Sequence, residues 1–96
     1  MSDEIEEIAL LIYTAIFQDE PFIEVDGIEY QIEKTSKSKV RLVKYDDFTF
    51  IEQNPFKSSR WGKEAQEGHQ IMWVMKGRKY LARVRDGKFL DLRKSS

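Results

Sequence analysis

Ninety-six residues, 41% of them hydrophobic, suffice for one domain with one modest core, burying roughly 60 to 65% of the unfolded surface. With no Cys there is neither a disulfide nor a thiolate zinc site, and with His69 as the one histidine a histidine metal cluster is excluded too. The net charge of −1 hides a positional split: the first 33 residues carry ten carboxylates and no Lys or Arg, and the remainder carries sixteen basic against seven acidic side chains.

The lack of Cys fits a reducing, cytoplasmic setting. The longest apolar run, Ile8 to Ile12, is far short of the roughly 20 residues of a membrane helix, so no bilayer span is expected. A secretory signal opens on positive charge, which Ser2-Asp3-Glu4-Ile5-Glu6-Glu7 lacks.

Asp3 followed by Glu6 resembles a capping box, and apolar residues recur at 5, 8, 9, 12, 15 and 16. That spacing predicts a helix from about Asp3 to Phe17. Glu4, Glu6 and Glu7 then lie at the positive end of its dipole. Leu10, Leu11, Tyr13 and Phe17 widen the apolar stripe beyond one face, which calls for cover on a second side.

Pro21 ends this element. Phe22 to Glu33 alternates around Asp26-Gly27, the dipeptide favoured in two-residue hairpin turns, so a hairpin pairing Val25 with Ile28 is expected. It gathers Ile23, Val25, Ile28, Tyr30 and Ile32 on one face and sets Glu24 against Glu29. A strand over 39–45 follows a three-residue loop, Ser36 to Ser38, pairing Ile32 with Leu42 and Glu33 with Arg41. A turn at Asp46-Asp47 returns Phe48 to Gln53 with Ile51 beside Leu42 and Glu52 beside Arg41, leaving Arg41 flanked by Glu33 and Glu52.

Asn54-Pro55 breaks the pattern, and a short helix from Ser59 to Glu67 closed by Gly68 is expected in the polar stretch that follows. Ile71 to Leu92 reads as three strands turning near Gly77-Arg78 and at Asp86-Gly87. One face collects Ile71, Trp73, Met75, Tyr80, Ala82, Val84 and Phe89, and the other mixes Met72, Val74, Leu81, Leu90 and Leu92 with Lys76, Lys79, Arg83, Arg85 and Lys88. The expectation is an α+β fold in a single domain over residues 1–96: an N-terminal helix, then an antiparallel meander of about seven strands curling into a strongly bent sheet or partly open barrel.

Two sets of residues are candidates for function. The basic cluster Lys57, Arg60, Lys63, Lys76, Arg78, Lys79, Arg83, Arg85 and Lys88, with Trp61 and Tyr80 interspersed, has the cations that phosphates need and the planes on which bases stack. The plainer alternative is a solvated strand face whose lysines guard the sheet edges. Trp61, within the long polar connection 54–69, either contacts a ligand together with Arg60 and Lys63 or folds back as a lid on the core.

His69 lacks a second His or a Cys to work with, and Ser58 and Ser59 lie in no ordered pattern, so no nucleophile-base-orienter set emerges and an enzyme is not expected. The adjacent carboxylates Asp46-Asp47 and Asp19-Glu20 read as turn chemistry. Gly62, Gly68, Gly77 and Gly87 read as isolated turn residues, and no metal or cofactor motif is present. Residues 57–94 carry eleven basic against four acidic side chains, or +7. That favours a small non-enzymatic module for nucleic acid, whether DNA or RNA. The rival is a protein-interaction or self-assembly module, for instance a homodimer, in which acidic N-terminal and basic C-terminal surfaces meet.

Overall fold

The computed structural model describes residues 4–94. The chain runs through α1 (Glu4–Phe17), β1 (Phe22–Val25), β2 (Ile28–Gln31), β3 (Glu33–Lys34), β4 (Arg41–Tyr45), β5 (Phe48–Glu52), α2 (Arg60–Gln66), β6 (Ile71–Lys76), β7 (Lys79–Arg85) and β8 (Lys88–Asp91). A single 3-10 turn, Leu92–Lys94, follows. The fold is α+β. All pairings among the described strands are antiparallel, in a two-stranded sheet β1-β2 and a six-stranded sheet β3-β4-β5-β6-β7-β8 that closes no barrel.

The apolar spacing of α1 buries Ile8, Ala9, Ile12, Tyr13, Ala15 and Ile16 against Val43, Phe50, Met72, Val74, Ala82 and Val84 of the large sheet. The helix ends where Asp19 turns left-handed (φ +59): the Asp19 amide donates to Ile16 O and that of Glu20 to Ala15 O, satisfying two terminal carbonyls. The expected Asp3 cap lies outside the described residues.

The first hairpin has the expected register, with Val25 opposite Ile28 and Glu24 opposite Glu29, and Asp26 and Gly27 both at positive φ. At Ile32 the chain changes sheets; its amide donates to Pro21 O at 3.1 Å. Here the structure corrects the expected register by one residue, pairing Glu33 with Leu42 and Lys34 with Arg41. The connection uses four residues, 36–39, because Lys39 adopts φ +57 and Thr35 bonds back to Val40 through both its amide and its hydroxyl. The break at Ile32 keeps that side chain half-buried against the core even though its neighbour has slipped.

Arg41 is clamped by Glu52, whose two oxygens accept from Nε at 3.0 Å and from a terminal nitrogen at 2.9 Å. Its second carboxylate is that of Asp19 at 3.3 Å rather than the expected Glu33. Asp19 is delivered by the helix C-cap. The Glu52 hydrogen bonds raise the Arg41 pKa above its already high ordinary value.

The second correction decides which side chains face outward. β6 and β7 are in one register from Ile71 to Val74 and in another at Met75 and Lys76, leaving Leu81 without an opposite residue. This bulge puts Leu81 beside Ala82 on the core side and turns Trp73, opposite Arg83, and Ile71, opposite Arg85, to the outer face. Met72 and Val74, expected outside, are fully buried.

Candidate functional site

The outer face of the sheet is covered in part by α2. Ser59 caps that helix by accepting from the Gly62 amide at 3.1 Å, and Gly68 (φ +105) closes it. Gly62 is not a turn residue: it is buried within α2, and a Cβ there would lie 2.2 Å from the Lys57 carbonyl oxygen. The glycine lets α2 lie directly on the 54–57 segment, and Gln66 Nε2 donates to the Pro55 carbonyl across the same contact. Trp61 is thereby pressed onto the sheet.

There Trp61 begins a row of aromatic rings. Its centroid lies 5.5 Å from that of Trp73, and Trp73 lies 5.1 Å from Tyr80, both contacts edge-to-face. The Trp73 indole donates to Gln53 Oε1 at 2.6 Å, while Gln53 Nε2 donates to the Asn54 carbonyl. This satisfies a polar side chain that is only 8% exposed.

The row forms one wall of a groove of about 730 Å³ that also includes Val40, Ile51, Met75, Lys57 and the hydroxyls of Thr35 and Ser38. Most of its polar lining is already paired: Thr35 with Ser38, Asn54 Oδ1 with the Phe56 amide, Ser59 with the helix cap, and Glu52 with Arg41. What the groove offers a ligand is therefore aromatic and aliphatic surface, together with the Lys57 ammonium and the Tyr80 hydroxyl.

Arginines surround the Trp61 end. Arg83 lies over Trp61 at 4.1 Å from the ring centroid and Arg60 at 4.8 Å. Glu64 of α2 accepts from Arg85 Nε at 2.7 Å and from Arg60 Nε at 3.2 Å. Those hydrogen bonds, Arg85 first, hold the Glu64 carboxyl below the ordinary carboxylate range. Arg83 is half-buried, and desolvation together with repulsion from Arg60 and Arg85 lowers its pKa.

Of the eleven residues singled out from the sequence, four are gathered here, Arg60, Trp61, Arg83 and Arg85, and Tyr80 ends the aromatic row. Lys57 lies on the groove wall. Lys63 is exposed on α2, and Lys88 is exposed at the start of β8. Lys76, Arg78 and Lys79 form the β6–β7 turn, where the Lys76 ammonium lies 5.7 Å from the Phe48 ring. Lys79 and Arg85 are the two ends of the seven-residue β7, six steps or ~20 Å apart along an extended strand. The basic residues thus form separate groups rather than one continuous stripe.

Trp73, Gln53 and Glu64 were missed from the sequence. The bulge had hidden Trp73 among presumed core positions, and Gln53 and Glu64 stand out only once their partners 20 and 21 residues away are adjacent.

His69 is a structural tie. Its Nδ1 lies 2.7 Å from Asp86 Oδ2, and Asp86 Oδ1 accepts from the Gln70 amide at 2.9 Å. The Gln70 amide chiefly, and then His69, lower the Asp86 pKa. Tyr13 of α1 completes the junction by donating to Gln70 Oε1 at 2.7 Å. Among the described residues no group of three or more His, Asp or Glu could hold a metal ion, and no helix is long and apolar enough to cross a membrane. No protein-family model, curated protein or solved structure matches this chain.

Proposed function

We propose that the protein is a small, non-enzymatic nucleic-acid-binding module, acting in the cytoplasm, which takes single strands in the outer-face groove. The observation that carries this reading is the edge-to-face row Trp61, Trp73 and Tyr80 along a groove bordered by Lys57 and Arg60. Bases stack on aromatic surface irrespective of their identity, and cations beside that surface attract the phosphates. Because the groove's hydrogen-bonding groups are mostly paired internally, it favours stacking over the reading of base edges. Low sequence specificity follows.

Titration of the intrinsic tryptophan emission with single-stranded and duplex oligonucleotides at two salt concentrations tests the reading. Single strands should quench more strongly than duplexes. Their affinity should fall with salt at a slope of about −0.7 per phosphate neutralised. Absence of salt-sensitive binding at micromolar protein would overturn it.

A protein-interaction or self-assembly role is the second reading. It is favoured by Leu11, Phe22 and Ile28 on the acidic third, which are 47%, 43% and 57% exposed. In that case the acidic helix and hairpin meet the basic sheet of another copy. Light scattering across a salt series would reveal a homodimer that dissociates as salt rises; a strictly monomeric species counts against it.

A further inference from the structure

Arg83 is the least satisfied cation of the outer face. Its Nε is the one buried side-chain nitrogen or oxygen among the described residues without a hydrogen-bond partner. The contacts of its guanidinium are the two indoles, at 4.1 Å from Trp61 and 5.6 Å from Trp73. Its neighbours compete for a single carboxylate: Arg85 Nε and Arg60 Nε each hold one oxygen of Glu64. Glu64 thus serves Arg60 and Arg85, and Arg85 also reaches Asp86 Oδ2 at 3.8 Å, while among the described residues no ion pair engages the guanidinium that lies against both rings.

A buried N–H without a partner is costly, and it is more so on a cation. Contact with the indoles compensates the charge through the ring faces but gives the buried Nε–H no acceptor. An anion with several oxygens would meet the terminal guanidinium nitrogens of Arg83, beyond its buried Nε, and reach a second arginine at the same time.

We infer that Arg83, with Arg60 and Arg85, forms a phosphate-binding subsite beside the Trp61 ring, in which Glu64 holds the outer two arginines until a phosphate displaces it. This rests on the nucleic-acid reading for what bears the phosphate, a backbone diester or a terminal monoester of a strand whose bases lie in the groove. Phosphate suits the cluster because its oxygens match the planar guanidinium fork and can bridge two forks. Arg60 can leave Glu64 readily, since its side chain is 77% exposed. Glu64 acts as a competitor built into the fold and sets the affinity of the subsite.

The test follows the arginine Nε–H resonances of the full chain by NMR, alongside tryptophan emission. The titrants are inorganic phosphate and short oligothymidylates with and without a 5′-phosphate, with chloride at matched ionic strength as control. The Arg83 resonance should move saturably with the phosphate-bearing titrants and not with chloride; comparing the three shows whether a monoester or a diester is preferred. Arg83→Lys should weaken oligonucleotide binding about tenfold, because an ammonium cannot reproduce the fork. Glu64→Gln should strengthen it about threefold by freeing Arg60 and Arg85. If oligonucleotides quench the emission while the Arg83 resonance stays fixed under every titrant, the subsite is overturned and the stacking groove stands. If phosphate moves Arg83 and no oligonucleotide changes the emission, the subsite stands and the nucleic-acid reading falls.

Discussion

The face of the six-stranded sheet that receives α1 is closed by aliphatic and aromatic side chains with no exposure at Val43, Phe50, Met72, Val74 and Val84. The opposite face, half-covered by α2, sets Trp61, Trp73, Tyr80 and arginines beside the aliphatic Val40, Ile51 and Ile71. The first uses non-directional burial, which stabilises a fold and offers nothing to a ligand. The second adds groups with direction: ring faces, N–H donors and fixed cations, some of them paired within the chain and some not. Under the proposed function, stability and recognition lie on opposite sides of one sheet. Val74 and Trp73, adjacent in β6, face opposite sides of the sheet.

The largest effect expected from this division is in the core. Phe50→Ala removes the largest fully buried side chain and should cost about 3–5 kcal/mol, measured by urea or thermal unfolding. Tyr80→Ala on the outer face, where the ring is 53% exposed, should change stability by only about 0.5 kcal/mol while weakening oligonucleotide binding. Comparable losses of stability from both variants would break the comparison.

Gly62→Ala should come next. Its methyl would meet the Lys57 carbonyl at 2.2 Å, so α2 must shift, at about 1–3 kcal/mol. Loss of the near-ultraviolet dichroism of the Trp61–Trp73 pair with the far-ultraviolet signal retained would show that the outer face was dislodged on its own. Gln53→Ala is expected to be milder, at about 1–2 kcal/mol, because it leaves the Trp73 N–H without its acceptor in a partly wet setting. It should also lower binding through a misplaced Trp73.

How far this arrangement could be read from the sequence differs from element to element, for physical reasons. Asp26-Gly27 and Asp86-Gly87 prescribe positive φ at both turn positions, so those hairpins and their registers were legible. The Arg41–Glu52 pair followed from the β4–β5 register. The β3–β4 register was not legible, because nothing in Thr35-Ser36-Lys37-Ser38-Lys39 marks Lys39 as the left-handed residue; lysine has no local preference for that conformation. The bulge at Leu81 had the larger consequence. An alternating pattern on both flanks is compatible with a continuous or an interrupted ladder, and only packing of Leu81 and Ala82 on one side of the core selects the second. Since a slip of one residue exchanges the two faces, the aromatic row was hidden until the bulge placed Trp73 beside Trp61. Basic residues were read correctly as belonging to the outer face at Arg83 and Arg85. Their partition by Glu64 depends on a helix whose position Gly62 sets.

The smallest effect, and the one that sharpens the comparison most, is on acid titration. Glu64 and Asp86 both have depressed pKa values in the folded protein; Glu64 ties α2 to the sheet through Arg85 and Arg60, and Asp86 ties the segment after α2 through the Gln70 amide and His69. Unfolded Asp and Glu titrate near about 3.9 and 4.3, so the stabilisation from these two groups is complete above that range and lost as pH falls through their lower folded values. The core face contributes Tyr13, whose pKa is raised chiefly by burial and which stays neutral throughout acidification. Acid should therefore loosen α2 from the sheet before it disturbs α1. Both tryptophans of the chain lie in the outer-face cluster, so their emission reports that face alone, while far-ultraviolet dichroism reports the helix and the ladder. The emission should change at higher pH than the dichroism, and Glu64→Gln should remove part of that early change because the titrating carboxylate is gone. Coincidence of the two curves in both proteins would mean that the faces unfold as one unit, and that the division between them is chemical without being energetic.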